Sequence, residues 1–313
     1  DEYCLGTIDS WLIYKLTKGT SFKTDATNAS RTQLYDIHTG KWSEELCKLF
    51  GIDQKNLAEI HDCNAVFGYT DIEGILPKEI PITAVMGDSH AALYGHGCHK
   101  DGQVKTTLGT GSSIMMNIGT KEKLSTNGLS TSVAYSIDGV RTFAIEGNIN
   151  YAGAVISWLK NDLELIEDAN ETQKIILDSN PSDETVLVPA FTGLGAPYWN
   201  MHAKAIFYGM TRTTTWKELV RASVESIAYQ ITDILNAMEN DTGISIKEVK
   251  ADGGPSKNQY LMQFLAECAQ NTVCVSLQEE LSATGVAYMA GLTIGLYQKD
   301  NLFHQLKYDV YQN

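Results

Sequence analysis

One carboxylate is conspicuous for its surroundings. Asp88 follows a glycine at the end of an apolar stretch, "IPITAVMG" (80–87), and precedes an apolar "AAL". About twenty residues on stands "TTLGTGSS" (106–113), where Gly109, Thr110 and Gly111 form a tight turn. Such a turn bares backbone N–H groups that cradle phosphate oxygens, and the Thr110 hydroxyl adds a donor. It is not a P-loop, because no Gly-Lys-Ser/Thr follows. A second glycine pair lies in "KADGGPSKNQ" (250–259), where a strand runs into Gly253-Gly254 and a helix begins at once. Glycines admit a flat ligand close to the backbone, and a helix N-terminus attracts anions. If the segments before and after residue 95 are lobes around a cleft, Asp88 faces a nucleotide. A carboxylate there accepts the proton of a hydroxyl that attacks a γ-phosphate. Plainer readings stay open: the glycine turns as ordinary connections, and "Gly-Asp-Ser-His" as a helix start capped by Asp88.

The elements that position these residues alternate between strand and helix, which argues an α/β fold. In residues 1–95 the reading is a helix at "WLIYKLT", a loop and short strand to Trp42, a helix at "SEELCKLFGI", and strand-like pieces up to Gly87. From residue 96 onward, "GQVKTTLG" and "SSIMMNIG" read as antiparallel strands. "SVAYSIDGVRTFAIEG" is a hairpin centred on Asp138-Gly139, and a helix follows from Tyr151 to Asn161. "TWKELVRASVESIAYQITDILNAMEN" is a long helix with Thr215 and Glu218 as a capping box and Gly243 past its end. "KNQYLMQFLAECAQ" is a helix with Ser256 as its expected N-cap, followed by strand "TVCVSL" and helix "GVAYMAGLTIGLY". "VPAFTGLGAPYWN" (188–200) reads as a rigid loop bordering a cleft.

Composition narrows the function classes. The chain has 313 residues, 43% of them hydrophobic, enough for a sizeable core. A net charge of −14 argues against a partner that is a nucleic acid or an acidic membrane. No run of about 18 apolar residues spans a bilayer, and the start has no basic leader, so the reading is a cytoplasmic protein. Cysteines at 4, 47, 63, 98, 268 and 274 lack a disulfide framework. His90, His96, Cys98 and His99 crowd together, but in no zinc-binding spacing.

Several long stretches together resemble one family. "GTIDSWLIYKLT", "TDATNASRT", "VPAFTGLGAPYW", "DGGPSKNQYLMQF", "SATGVAYMAGL" and "AIFYGMTRTTTWKELVRASVE" (205–225) are similar to segments of the FGGY carbohydrate kinases, and within them of the glycerol kinases. The resemblance covers nearly the whole chain. It implies an actin-like, ribonuclease-H-like ATPase fold: the second half of lobe I (1–95, substrate side) and a nearly complete lobe II (96–313, nucleotide side, C-terminal end clipped). It also implies ATP and Mg²⁺ as cofactors and a small polyol or sugar as substrate, phosphorylated on a primary hydroxyl. Asp88 matches the family's catalytic base. Thr110 in its Gly109–Gly111 turn, Gly153, Ser157, and Gly253-Gly254 with Asn258 match the nucleotide-holding positions.

Departures from the family pattern bear on the substrate. Ser89 and His90 stand where glycerol kinases have two glutamines, and Ser113 where they tend to carry a phenylalanine against the glycerol carbons. A more polar pocket argues for a longer substrate, such as a tetritol, pentitol or ketose, because extra hydroxyls need buried partners. The family's opening phosphate loop, with its metal-binding Asp, and its Arg-Glu polyol clamp have no counterpart in this sequence. The chain therefore reads as a fragment of a longer kinase, inactive by itself, with its metal ligands unidentified. A non-catalytic nucleotide- or sugar-binding protein on the same fold is the rival of another class, and a homo-oligomer is left open.

Overall fold

The computed structural model describes residues 3–298 and 302–313. The first unit is a set of short elements: α1 (Ile8–Leu16), β1 (Lys23–Asp25), α2 (Ala26–Ala29), β2 (Tyr35–Asp36), β3 (Lys41–Trp42), α3 (Glu44–Leu49), β4 (Glu59–His61), β5 (Gly68–Thr70), β6 (Ile80–Ile82) and α4 (Asp88–Gly95). β1 and β4 pair in parallel; the β2–β3 and β5–β6 pairs are antiparallel. Ser43 caps α3 by accepting the Leu46 N–H, as a serine before an acidic first turn should. The strand expected to run up to Gly87 stops at Ile82. Beyond it the backbone bonds singly to other segments, Val85 N–H to the Cys63 carbonyl and Gly87 N–H to the Thr27 hydroxyl.

The second unit is built on β7 (Val104–Leu108), β8 (Ser112–Gly119), β9 (Ser130–Ile137), β10 (Val140–Ile149), α5 (Gly153–Asn161), α6 (Glu171–Leu177), β11 (Val186–Val188), β12 (Ile206–Tyr208), α7 (Trp216–Thr242), β13 (Glu248–Gly253), α8 (Gln259–Ala269), β14 (Thr272–Ser276), α9 (Leu281–Thr293) and β15 (Tyr308–Tyr311). Seven strands form one mixed sheet in the order β15-β14-β13-β7-β8-β10-β9. β13 runs parallel to both β7 and β14; the remaining pairs are antiparallel.

Strand alternation gives this sheet two different faces. Val104, Leu108, Ile114, Met116, Ile145 and Val249 point to one face and join the main core with Val220, Val224, Ile227, Ile231 and Leu265 of α7 and α8. α7 carries the expected capping box, Thr215 with Glu218, and ends at Gly243 in the left-handed conformation. The register places Lys105 beside Met115 and Lys250, Thr107 beside Ser113 and Asp252, and Glu146 beside Met115, all on the opposite face. Part of that face is apolar and is covered by Leu93 and Tyr94 of α4 and Met289 of α9. The rest is polar.

α4 and α9 pack through glycines. A Cβ on Gly285 would sit 1.9 Å from the Ala91 carbonyl oxygen, and one on Gly95 would sit 2.4 Å from that of Leu281. Only two bare backbones approach so closely. The contact ties α4, the last element of the first unit, to the second unit.

The helix expected to open at Ser256 opens two residues later. Residues Gly254–Lys257 make a 3₁₀ turn in which the Ser256 hydroxyl donates to the Gly253 carbonyl, and Asn258 caps α8 by accepting the Leu261 N–H. All six cysteines are free thiols. Among the described residues, no helix is long and apolar enough to cross a membrane.

Candidate active site

Asp88 is held in place from the first unit. Asp25 is fully buried, and its carboxylate accepts the Thr27 N–H and hydroxyl, the Asn28 N–H and side-chain amide, and the Cys63 thiol. Burial pushes the Asp25 carboxyl above its ordinary range, and these donors oppose the shift. With its proton given to Asp25, the Thr27 hydroxyl accepts the Gly87 N–H at 2.8 Å. Gly87 is the N-cap of α4. Asp88 is therefore not the cap but the first helical residue. Its carboxylate is exposed and accepts the Ser89 N–H at 2.6 Å.

His90 turns the other way, toward the sheet. Its ring is buried, with Nε2 3.3 Å from the Ser132 hydroxyl. Burial drives its pKa down to about 4; Glu146 pulls against this, and the Arg31 and Lys105 cations reinforce it. The imidazole is thus neutral near pH 7. Ser89 and His90 both lie within α4, so neither caps it.

Beneath them lies a charged row on the sheet. Arg31 Nη1 is 2.5 Å from Glu146 Oε2, Ser113 Oγ donates to Glu146 Oε1 at 2.8 Å, and Lys105 Nζ donates to Ser113 Oγ at 3.0 Å. Burial raises the Glu146 carboxyl, but Arg31 and the Ser113 hydroxyl outweigh it and the net shift is downward. Lys105 is fully buried; burial lowers its ammonium pKa against the pull of Asp252, Glu146 and Asp88. Sequence reasoning missed Lys105, Glu146 and Arg31. They sit in three separate stretches, and only the strand register unites them.

His96, the C-cap of α4, lies with Nε2 3.7 Å from an Asp252 carboxylate oxygen. Burial lowers its pKa. Among the described residues, no group of three or more His, Cys, Asp or Glu side chains stands close enough to hold a metal ion.

The glycine turns meet on the other side of the same sheet ends. The Gly109 N–H bonds the Gly111 carbonyl within the turn, so it is not bared. The Gly109 carbonyl accepts the Gly153 N–H at 2.8 Å, and the Thr110 carbonyl accepts those of Ala152 and Ala154, which seats α5 on the turn. Gly253 has φ +94°, and a Cβ on it would fall 2.0 Å from the Leu108 carbonyl oxygen. Gly254 faces open space instead.

That space is a cavity of about 430 Å³ lined by Gly153 and Ser157 of α5, Gly254, and Asn258. Four of the eight residues expected to hold a nucleotide thus share one cavity. Gly109, Thr110, Gly111 and Gly253 lie outside its lining; Gly109 abuts it through Gly153. The Asn258 amide accepts the Leu261 N–H and donates to the Thr172 hydroxyl at 3.0 Å, which joins α8 to α6. Ile156, Lys160, Asn170 and Gln173 are among the other residues of its walls. No motif marks these four in the sequence. The loop 188–200 lines none of this cavity; it packs on the connection between β8 and β9, Trp199 Nε1 donating to the Gly128 carbonyl at 2.6 Å.

Two family models match the chain in succession. The N-terminal domain model of the FGGY family of carbohydrate kinases matches residues 2–95, and the C-terminal domain model matches residues 104–294. The chain belongs to the FGGY family of carbohydrate kinases. Among curated relatives of this FGGY chain, glycerol kinase 1 of Thermotoga maritima is 47% identical over 296 residues, 95% of this chain and 60% of the relative. Glycerol kinase of Alkaliphilus oremlandii is 44% identical over 300 residues, 96% of this chain and 60% of the relative. The chain therefore spans about 60% of the length of these relatives. The crystal structure of Plasmodium falciparum glycerol kinase with ADP superimposes with a TM-score of 0.91 at 36% identity, over 99% of this chain and 62% of that one. A ligand-bound xylulose kinase from Lactobacillus acidophilus shares the fold, with a TM-score of 0.86 at 20% identity, over 98% of this chain and 63% of that one. The expected actin-like, ribonuclease-H-like ATPase fold is thus the observed one.

Proposed function

We propose that this chain is the larger part of an ATP-dependent kinase that phosphorylates a primary hydroxyl of glycerol or a related polyol or sugar. The observation that carries the reading is the cavity. Gly153, Ser157, Gly254 and Asn258 come from stretches about a hundred residues apart, yet line one space of nucleotide-binding size. The close glycerol kinase relatives and the ADP-bound homologue support the same assignment.

In this reading the first unit to residue 95 is the substrate side and residues 96–313 the nucleotide side. Ser157 and Asn258 border the base and sugar, and the Gly109–Gly111 and Gly253-Gly254 turns flank the phosphates. Asp88, exposed at the start of α4, takes the proton from the substrate hydroxyl. The hydroxyl oxygen forms a bond to the γ-phosphorus, the bond to the ADP oxygen breaks, and the proton stays on the Asp88 carboxylate. In this reading Ser113 contacts the substrate, whereas His90, buried and neutral on the sheet-facing side of α4, shapes the site from beneath. Mg²⁺ would accompany ATP and screen its phosphates. Among the described residues no group of three or more His, Cys, Asp or Glu side chains gathers to hold the ion, which the ATP phosphates and one or two carboxylates would carry.

A longer polyol or ketose is the second reading, favoured by one observation: the Ser113 position presents a hydroxyl tied to Lys105 and Glu146. Glycerol, erythritol, ribitol, xylitol and xylulose compared by kcat/KM with the complete kinase decide between them. Higher kcat/KM for glycerol makes it the substrate; higher kcat/KM for a longer one selects that class. No phosphorylation of any would favour the non-catalytic binding protein. The 313-residue chain alone should turn over little or nothing while still binding ADP.

A further inference from the structure

The row Arg31–Glu146–Ser113–Lys105 crosses the sheet face in unbroken hydrogen bonds. Its least expected member is Lys105. The side chain is fully buried, and among the described residues its ammonium donates to two neutral hydroxyls, Ser113 Oγ at 3.0 Å and Thr107 Oγ1 at 3.2 Å. Burying a cation against neutral acceptors is costly, and an apolar side chain would fill the same place without that cost.

What Lys105 does there follows from hydrogen-bond capacity. A serine hydroxyl has one proton and two lone pairs. The Ser113 proton goes to Glu146 Oε1 at 2.8 Å, and one lone pair receives the Lys105 ammonium. Glu146 cannot rotate away, because Arg31 holds its other oxygen at 2.5 Å. Ser113 is only half-buried, so what remains for a ligand is a single lone pair. Without Lys105 the proton would still go to Glu146, but the second lone pair would open and the hydroxyl would no longer be held to one acceptor direction. We propose that Lys105 is a positioning residue that, with Glu146, fixes Ser113 as an acceptor-only group, and that Ser113 so fixed selects substrates carrying a hydroxyl donor opposite it. This rests on the kinase reading above.

A fluorine in place of a hydroxyl tests the point, since it accepts weakly and donates nothing. Glycerol, erythritol and ribitol would each be compared with analogues in which one non-transferred hydroxyl is replaced by fluorine, using the complete kinase. At one position the wild-type enzyme should prefer the hydroxyl by about tenfold or more in kcat/KM, mostly through KM. Ser113→Ala should bring that ratio close to one, and Ser113→Thr, which keeps the hydroxyl, should retain most of it. Lys105→Met should lower it several-fold. Lys105→Leu, which also removes the donor toward Ser113, is read beside it should Met leave the core unstable. An active wild-type enzyme with no hydroxyl preference at any position, or a preference unchanged in Ser113→Ala, overturns the inference alone. A preference that survives both Lys105 variants removes Lys105 from it. A wild-type enzyme that phosphorylates none of the three polyols overturns the kinase reading and this inference with it.

Discussion

Replacing His90 with glutamine should flatten the acid side of the stability profile of this chain. The folded imidazole takes its proton only near pH 4, chiefly because it is buried, whereas an unfolded one takes it near 6.5. Between those values the unfolded state binds more protons, so stability falls as pH falls. His90 therefore contributes stability that is fully present above about pH 6.5 and is lost progressively as the pH drops toward 4. At about 1.4 kcal/mol per pH unit, the wild-type protein loses about 2 kcal/mol by pH 5 and about 3 kcal/mol below pH 4 on this account. Glutamine does not titrate, and its amide can still reach toward Ser132. Urea unfolding of both proteins at pH 7.5, 6.5, 5.5 and 4.5 reads the difference. His96, also shifted down by burial, is common to both and cancels in the comparison. Parallel stability curves from pH 7.5 to 4.5 would refute the buried, neutral His90.

Other substitutions probe the scaffold and the chemistry. Asp88→Asn in the complete kinase should leave ADP affinity and folding intact while kcat drops by about 10²–10⁴, the range for losing a general base; an unfolded variant, or an unchanged kcat, would contradict the assignment. Thr27→Val strands the part-buried Gly87 N–H and removes one donor to the buried Asp25, and should lower stability by about 1–3 kcal/mol in chemical denaturation. Gly285→Ala puts a methyl 1.9 Å from the Ala91 carbonyl oxygen, so α4 and α9 must separate; the melting temperature should fall by several degrees, and an unchanged one would mean the helices are not packed as described.

The parts of this fold that were legible in the sequence are those decided locally. Thr215 and Glu218 sit three residues apart and satisfy each other, and Asp138-Gly139 turns a hairpin between alternating strands. The start of α8 was misplaced because Ser256 and Asn258 are both good caps; the 3₁₀ turn at Gly254–Lys257, which occupies the Ser256 hydroxyl, leaves only Asn258 to cap. Residues 83–87 look like a strand because they are apolar, yet their backbone partners come from Cys63 and Thr27, which no local pattern announces. The same limit hid the charged row. Lys105 reads as an ordinary outward-facing strand residue, and Arg31 is 115 residues from the Glu146 it pairs with. Asp88 and the glycine turns stood out because their chemistry is written in adjacent residues. The cavity walls Asn170, just before α6, and Gln173 within it did not, because they follow from packing alone.

The central claim is that the cavity between α5, α6 and the Gly254 turn is the nucleotide site, and calorimetric titration of ADP into the 313-residue chain tests it most directly. Gly254 faces open space, so Gly254→Leu should fold normally while its side chain fills the cavity. The account predicts one ADP bound per wild-type chain and an affinity at least about tenfold weaker in Gly254→Leu, with little change in melting temperature in the absence of ADP. Equal ADP affinity in the two proteins, or no binding by a folded wild-type chain, would contradict it.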